Sequence, residues 1–233
     1  MLNSKLIITA AALAAMSAGF WLSSLQQSGD EISAEQQKQK ELAEARNNFS
    51  PIQGTVLSPA RKIIVPELIR DDGQTFDLDD LKGHWSLLFF GYTHCPDICP
   101  VTLGVVAQAK KAATAINHMF PEVVFVSVDP DRDKVEMLSD YVQYFDKDFV
   151  GVTGDAEMIK ALTLQMSVVY MKVPADKDAG SGSVDNSAYT VDHSSALLLM
   201  NPEGKLVAFL NPPHDAKTIL KDFQAVVNRS NEL

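Results

Sequence analysis

Cys95 and Cys99 stand four positions apart in the stretch LLFFGYTHCPDICP, residues 87–100, and they are the two cysteines of a 233-residue chain. Two thiols at that spacing admit three chemistries: a structural disulfide, a redox pair, or a metal clamp built from thiolates. A staple explains little, because closing so short a loop constrains the unfolded chain only modestly. For a redox pair, three residues intervene where thioredoxin-type motifs have two, which points away from a standard oxidoreductase. A clamp needs a further donor. Two thiolates form a soft, electron-rich pair suited to copper(I), and imidazole is the natural third ligand.

Five histidines are available. His84 beside Gly83 and His118 near a helix end read as surface residues. His94 adjoins Cys95, but neighbouring side chains in an extended segment diverge. His214, in NPPHDA, is a reserve candidate. His193, in YTVDHSSALLLM, follows a polar insertion and precedes an apolar strand, so a mobile loop there could bring its ring over the cysteines. The eight methionines are scattered without paired ligand spacing and read as anchor or core residues.

The elements that must position these groups follow from the pattern around them. Each cysteine precedes a proline, which disfavours helical backbone geometry at the cysteine. HCPDIC therefore reads as a turn, with Cys99 as N-cap and Pro100 as first residue of the helix LGVVAQAKKAATAI. Both sulfurs then lie at the positive end of a helix, reactive and partly exposed. WSLLFFGY and VVFVSV are continuous apolar runs suited to the middle of a buried sheet. In DPDRDKVEMLSDYVQYF, Asp133 and Glu136 stand in capping-box register, which predicts a helix from Lys134 with Asp133 as its cap. Asp129 and Asp131 read as turn and capping residues. Asp155 caps AEMIKALTLQM; RKIIVPELI, QTFDL, DFVGVTG and SVVYMKV read as further strands. PADKDAGSGSVDNSA is a polar loop. SALLLM, the turn NPEG and KLVAFL form a hairpin before the closing helix DAKTILKDFQAVVN. This order predicts one α/β domain over residues 51–233 with a thioredoxin-like fold.

Two segments precede it. Lys5 is the only charged side chain before an apolar run from Leu6 to Leu22, at the short end of the ~17–25 residues a spanning helix needs. Phe20 and Trp21 suit an interfacial belt. Residues 1–23 are therefore expected to be an uncleaved single-pass anchor in preference to a cleaved signal, with the rest of the chain exported. Residues 24–50, rich in Gln, Glu, Lys and Ala, read as a polar tether. The net charge of −10 opposes binding to phosphate backbones, and no basic stripe reverses it, so nucleic acid is not an expected partner.

FFGYTHCPDICP, SVDPDRD and YTVDHSSALLLMNPEGK, in this order behind an N-terminal anchor, resemble the Sco/SenC family of copper chaperones for cytochrome c oxidase. The resemblance covers residues 51–228. One CxxxC alone would be a weak signal; three motifs in register are specific. The resemblance implies copper as the metal, Cu(I) with Cu(II) as a further state, bound by Cys95, Cys99 and His193. It implies delivery to the CuA centre of oxidase subunit II, an upstream copper carrier or thiol reductant as partner, and an inner-membrane protein with its domain in the periplasm. The run SSALLL after the histidine departs from the aromatic residue expected there in many relatives, which bears on a partner surface and leaves the ligands intact. Two rivals use the same residues. A thiol-disulfide oxidoreductase acting on the oxidase cysteines has no need of His193, and a copper or redox sensor would signal without handing metal over.

Overall fold

The computed structural model describes residues 36–37, 52–174 and 189–231. The chain divides into two compact units, Met1–Ser50 and Pro51–Leu233, and the fold described here is that of the second. The expected anchor, most of the expected tether, and residues 175–188 of the polar insertion lie outside the described residues. Among the described residues no helix is long and apolar enough to cross a membrane.

The centre of the domain is the run that is apolar without alternation. β4 (Ser86–Gly91) is buried at every position, as a strand covered on both faces must be. It pairs in parallel with β5 (Glu122–Ser127), and β5 with β6 (Val150–Thr153). On its other side β4 pairs antiparallel with β9 (Leu197–Met200), the first strand of the hairpin that ends with β10 (Lys205–Leu210). β1 (Gly54–Lys62) adds antiparallel to β10, and the short β2 (Leu68–Arg70) and β3 (Thr75–Phe76) close the opposite edge, giving the order β1-β10-β9-β4-β5-β6-β2-β3. The segment RKIIVPELI is thus divided between two strands at opposite edges of the sheet, with a break around Pro66.

Four helices cover this sheet: α1 (Ile98–Ala115), α2 (Val135–Phe145), α3 (Ala156–Gln165) and α4 (Ala216–Asn231). α1 and α4 pack on each other, and α2 lies against β6. Phe223 of α4 seats its ring edge-on to Trp85 and Phe120, at 5.8 and 6.1 Å between centroids, tying the last helix to the entry of β4. Asp155 stands at the N-cap of α3 as expected, although its side chain makes no capping bond.

β7 (Tyr170–Pro174) and β8 (Tyr189–His193) form a separate two-stranded ribbon. Because the ribbon shares no ladder with the main sheet, its position is set by the three-residue link from His193 to β9 and by side-chain contacts. His193 is its last residue. The mobile loop expected to carry this histidine is therefore corrected: the residue belongs to a paired strand.

Candidate metal centre

β4 delivers the chain to the site and α1 receives it. Between them Tyr92 to Cys95 form a turn closed by the Cys95 N–H on the Tyr92 carbonyl at 3.2 Å. The helix begins earlier than the proline rule suggested. Its N-cap is Asp97, so Cys99 is its second residue and Pro100 its third. A proline is tolerated there because the first four helical N–H groups have no intrahelical partner to lose. With no capping bond from Asp97, the Cys95 sulfur takes the role, accepting the Cys99 N–H at 3.4 Å. The expected exposure is also corrected. Cys95 is 8% exposed and Cys99 fully buried.

Cys99 fits because residue 91 is glycine: a β-carbon there would stand 2.7 Å from the Cys99 sulfur and 2.8 Å from the Phe125 ring. His193 closes the group, with its Nε2 3.2 Å from the Cys99 sulfur. The Cys95 and Cys99 sulfurs and a ring nitrogen of His193 lie within 4.8 Å of one another. The His193 Nδ1–H donates to the Ser194 carbonyl at 3.0 Å, which fixes the tautomer and turns the Nε2 lone pair toward the sulfurs. Phe89 and Tyr92 wall the imidazole at 6.0 and 5.9 Å.

The two thiols are unlike. Hydrogen bonding from Cys99 first, and from the helix N–H groups after it, lowers the Cys95 pKa to about 4 against the effect of burial. Cys99 is pushed up, by sharing its proton with Cys95 and by burial. Two sulfurs and one aromatic nitrogen in an apolar pocket form a compact soft donor set, which fits a thiophilic ion better than a hard one.

The other histidines are engaged elsewhere. His84 pairs with Glu122 at 2.7 Å, His118 meets Gln224, and His94 lies beside Thr93 on the exposed side of the turn. His214 donates from Nε2 to the Ser195 carbonyl at 2.8 Å, so its ring is already committed.

The acidic motif is placed differently from its sequence reading. Lys134, not Asp133, is the N-cap of α2. The buried Asp133 carboxylate instead turns inward and accepts the Thr93 N–H at 2.9 Å, the Thr93 hydroxyl at 2.6 Å and the Ser127 hydroxyl at 2.6 Å. It anchors the turn two residues before Cys95. Residues 130–132 do form a turn, but Asp129 is fully buried and accepts the Tyr189 hydroxyl at 2.6 Å and the Arg132 Nε–H at 2.5 Å. Asp131 is exposed and pairs with Lys172 at 2.6 Å. Gly91, Tyr92, Arg132 and Tyr189 were not singled out as site residues. All four lie inside the quoted motifs, and only the fold shows what they touch.

The SCO1/SenC family model matches residues 58–228. The chain belongs to the SCO1/SenC family. Among curated relatives of the family, the mitochondrial SCO1 homolog 1 of Arabidopsis thaliana is 39% identical over 152 residues, 65% of this chain and 43% of that protein. A SCO2-like protein of Rickettsia prowazekii is 35% identical over 158 residues, covering 68% of this chain and 73% of its own. The match therefore spans less than half of the plant protein. Among solved structures, Arabidopsis thaliana ScoI with copper bound is 36% identical with a TM-score of 0.61, covering 74% of this chain and all of that one. Yeast Sco1 with copper bound is 27% identical with a TM-score of 0.61, covering 76% of this chain and 90% of its own. The α/β sheet thus carries the thioredoxin-like fold of the Sco structures.

Proposed function

We propose that this chain is a copper chaperone that binds one copper ion through Cys95, Cys99 and His193 and hands it to the CuA centre of cytochrome c oxidase subunit II during assembly. The observation that carries the reading is the convergence of the three donors, with His193 held in the tautomer that offers Nε2 to the sulfurs. Copper bound in the plant and yeast Sco structures supports the choice of metal. The oxidase as recipient rests on the family resemblance. Transfer is ligand exchange: an acceptor's cysteine or histidine replaces the donors one at a time, and the completed acceptor site gives direction. Exchange with an external disulfide, which is reduced to its dithiol as Cys95 and Cys99 are oxidised to a disulfide, removes both thiolates and switches binding off. We further propose that residues 1–23 anchor the protein in the inner membrane with the domain in the periplasm.

The test is copper uptake by the full-length protein. The reduced protein should take up one equivalent of Cu(I), and the oxidised protein almost none. His193→Ala should bind more weakly by at least the ~10–100-fold that losing an outer-shell partner alone costs. Equal uptake in both redox states overturns the reading. A thiol reductase is the second reading, favoured by the lowered pKa of Cys95 beside Cys99, whose pKa is raised. It wins if His193→Ala binds copper weakly yet supports normal oxidase assembly at low copper.

A further inference from the structure

His193 is carried by a ribbon outside the main sheet, which raises the question of what holds it over the cysteines. At the far end of β8, four residues from His193, Tyr189 meets the DPDRD turn. Its hydroxyl donates to buried Asp129 at 2.6 Å. The Arg132 Nη1–H donates to the Tyr189 carbonyl at 3.1 Å, and the guanidinium lies over the Tyr189 ring at 3.7 Å. The other neighbour of that guanidinium is the Tyr92 ring, at 5.6 Å. Tyr92 begins the turn that leads to Cys95 and stands edge-on to His193. Lys172 of β7 adds a second tie, to Asp131 at 2.6 Å.

We infer that Arg132, fixed by Asp129 and held between Tyr92 and Tyr189, is a positioning residue that sets the ribbon so that His193 reaches the two sulfurs. The inference rests on the reading of His193 as a metal ligand and assigns the residue that governs its placement. A planar cation that stacks on one ring, bonds that residue's carbonyl and approaches a second ring fixes both the separation and the orientation of the two segments. A lysine supplies the charge beside Asp129 without the plane. A strand is stiff over the roughly 13 Å that four residues span, so a shift at Tyr189 is delivered to the imidazole while the sulfurs, held by β4 and α1, stay in place.

The experiment is a double-mutant cycle on the full-length reduced protein, with Cu(I) affinity read by competition against a chromophoric chelator. Arg132→Ala should weaken binding by about 10–100-fold, and Arg132→Lys should recover little of it. In the His193→Ala background, Arg132→Ala should have no further effect. Parent-like affinity of Arg132→Ala beside a weakened His193→Ala overturns the inference and leaves the ligand set standing. Losses that add in the double variant, or full rescue by lysine, also overturn it. A His193→Ala protein that binds as tightly as the parent sinks the ligand reading itself, and this inference with it. The metal-free readout is amide hydrogen exchange, which should accelerate in Arg132→Ala within residues 170–174 and 189–193 and stay unchanged in β4 and α1. A uniform acceleration shows a general structural role and overturns the inference. Should Arg132→Ala fail to fold, Tyr189→Phe keeps the ring under the guanidinium and removes only the bond to Asp129. It should show the same local acceleration to a smaller degree, and exchange equal to the parent's counts against the inference.

Discussion

A β-carbon on Gly91 would intrude on the Cys99 sulfur and the Phe125 ring at once, so Gly91→Ala tests how finely the site depends on packing. Both neighbours are fully buried, and overpacking of this kind costs about 1–3 kcal/mol. The variant should still fold, with Cu(I) affinity reduced because the displaced sulfur no longer meets His193; chelator competition beside a denaturant melt separates the two effects. At this scale the three converging side chains proposed as donors could be picked out by residue type and motif, because soft-metal chemistry restricts which side chains serve. The supporting residues were legible only in part. Asp133 had the spacing of a helix cap, yet a turn amide and two hydroxyls claim its carboxylate. Spacing along the chain records which helix N–H groups lie within reach; it does not record which buried donors the rest of the fold brings nearer.

The central strands, the four helices and the β9–β10 hairpin could be read directly, because continuous apolar runs and helical spacing are local signals. β1 could not. Its sequence GTVLSPARK carries Ser58 and Pro59 mid-strand, and its ladder shifts register between Val56 and Arg61, so periodicity fails where the edge is irregular. What secures that edge is long-range: the Gln53 N–H donates to buried Asp222 of α4 at 2.8 Å. Burial raises the Asp222 pKa, against the hydrogen bond from Gln53. The folded state therefore binds this proton more tightly than the unfolded chain. The contribution is fully present below the unfolded pKa of about 3.9 and is lost as pH rises through the folded value. Asp222→Asn keeps an acceptor for Gln53 and removes the buried charge; it should flatten that slope and raise stability at pH 7 by up to about 1 kcal/mol, as urea melts across acidic and neutral pH will show. Phe223 beside it is 1% exposed, and Phe223→Ala should cost about 3–5 kcal/mol. Its unfolding midpoint should fall accordingly, while copper stoichiometry at temperatures below the transition stays at one.

At the scale of the whole chain, the family match covers residues 58–228, and the proposed anchor and tether lie before it. Membrane attachment through residues 1–23 predicts that the native protein sediments with membranes and is released by detergent and not by salt, since a hydrophobic span is insensitive to screening. A form of the chain starting at Gln53 should remain in the soluble fraction. Recovery of a native protein whose first residue lies near Ala18 would show instead that the apolar run is a cleaved signal. The apolar run and Lys5 are compositional signals, legible without any fold. Recognising the site as a whole required the converse, since its proposed donors come from positions 95, 99 and 193 and meet only when the sheet and the ribbon are both assembled.

That the imidazole travels on a ribbon of its own, while both sulfurs belong to the junction of the central strand and its helix, makes the centre mechanically unequal. Withdrawing His193 means tilting two strands; withdrawing either cysteine means disturbing the turn and the first residues of α1 that follow β4, a strand buried at every position. On the proposed function, the first donor surrendered to an acceptor would be the nitrogen, and copper would cross while still held by sulfur. Release speed would then follow how readily a small lever swings, independently of how strongly copper prefers thiolate. Such a carrier would grip its cargo hard and still let go on contact.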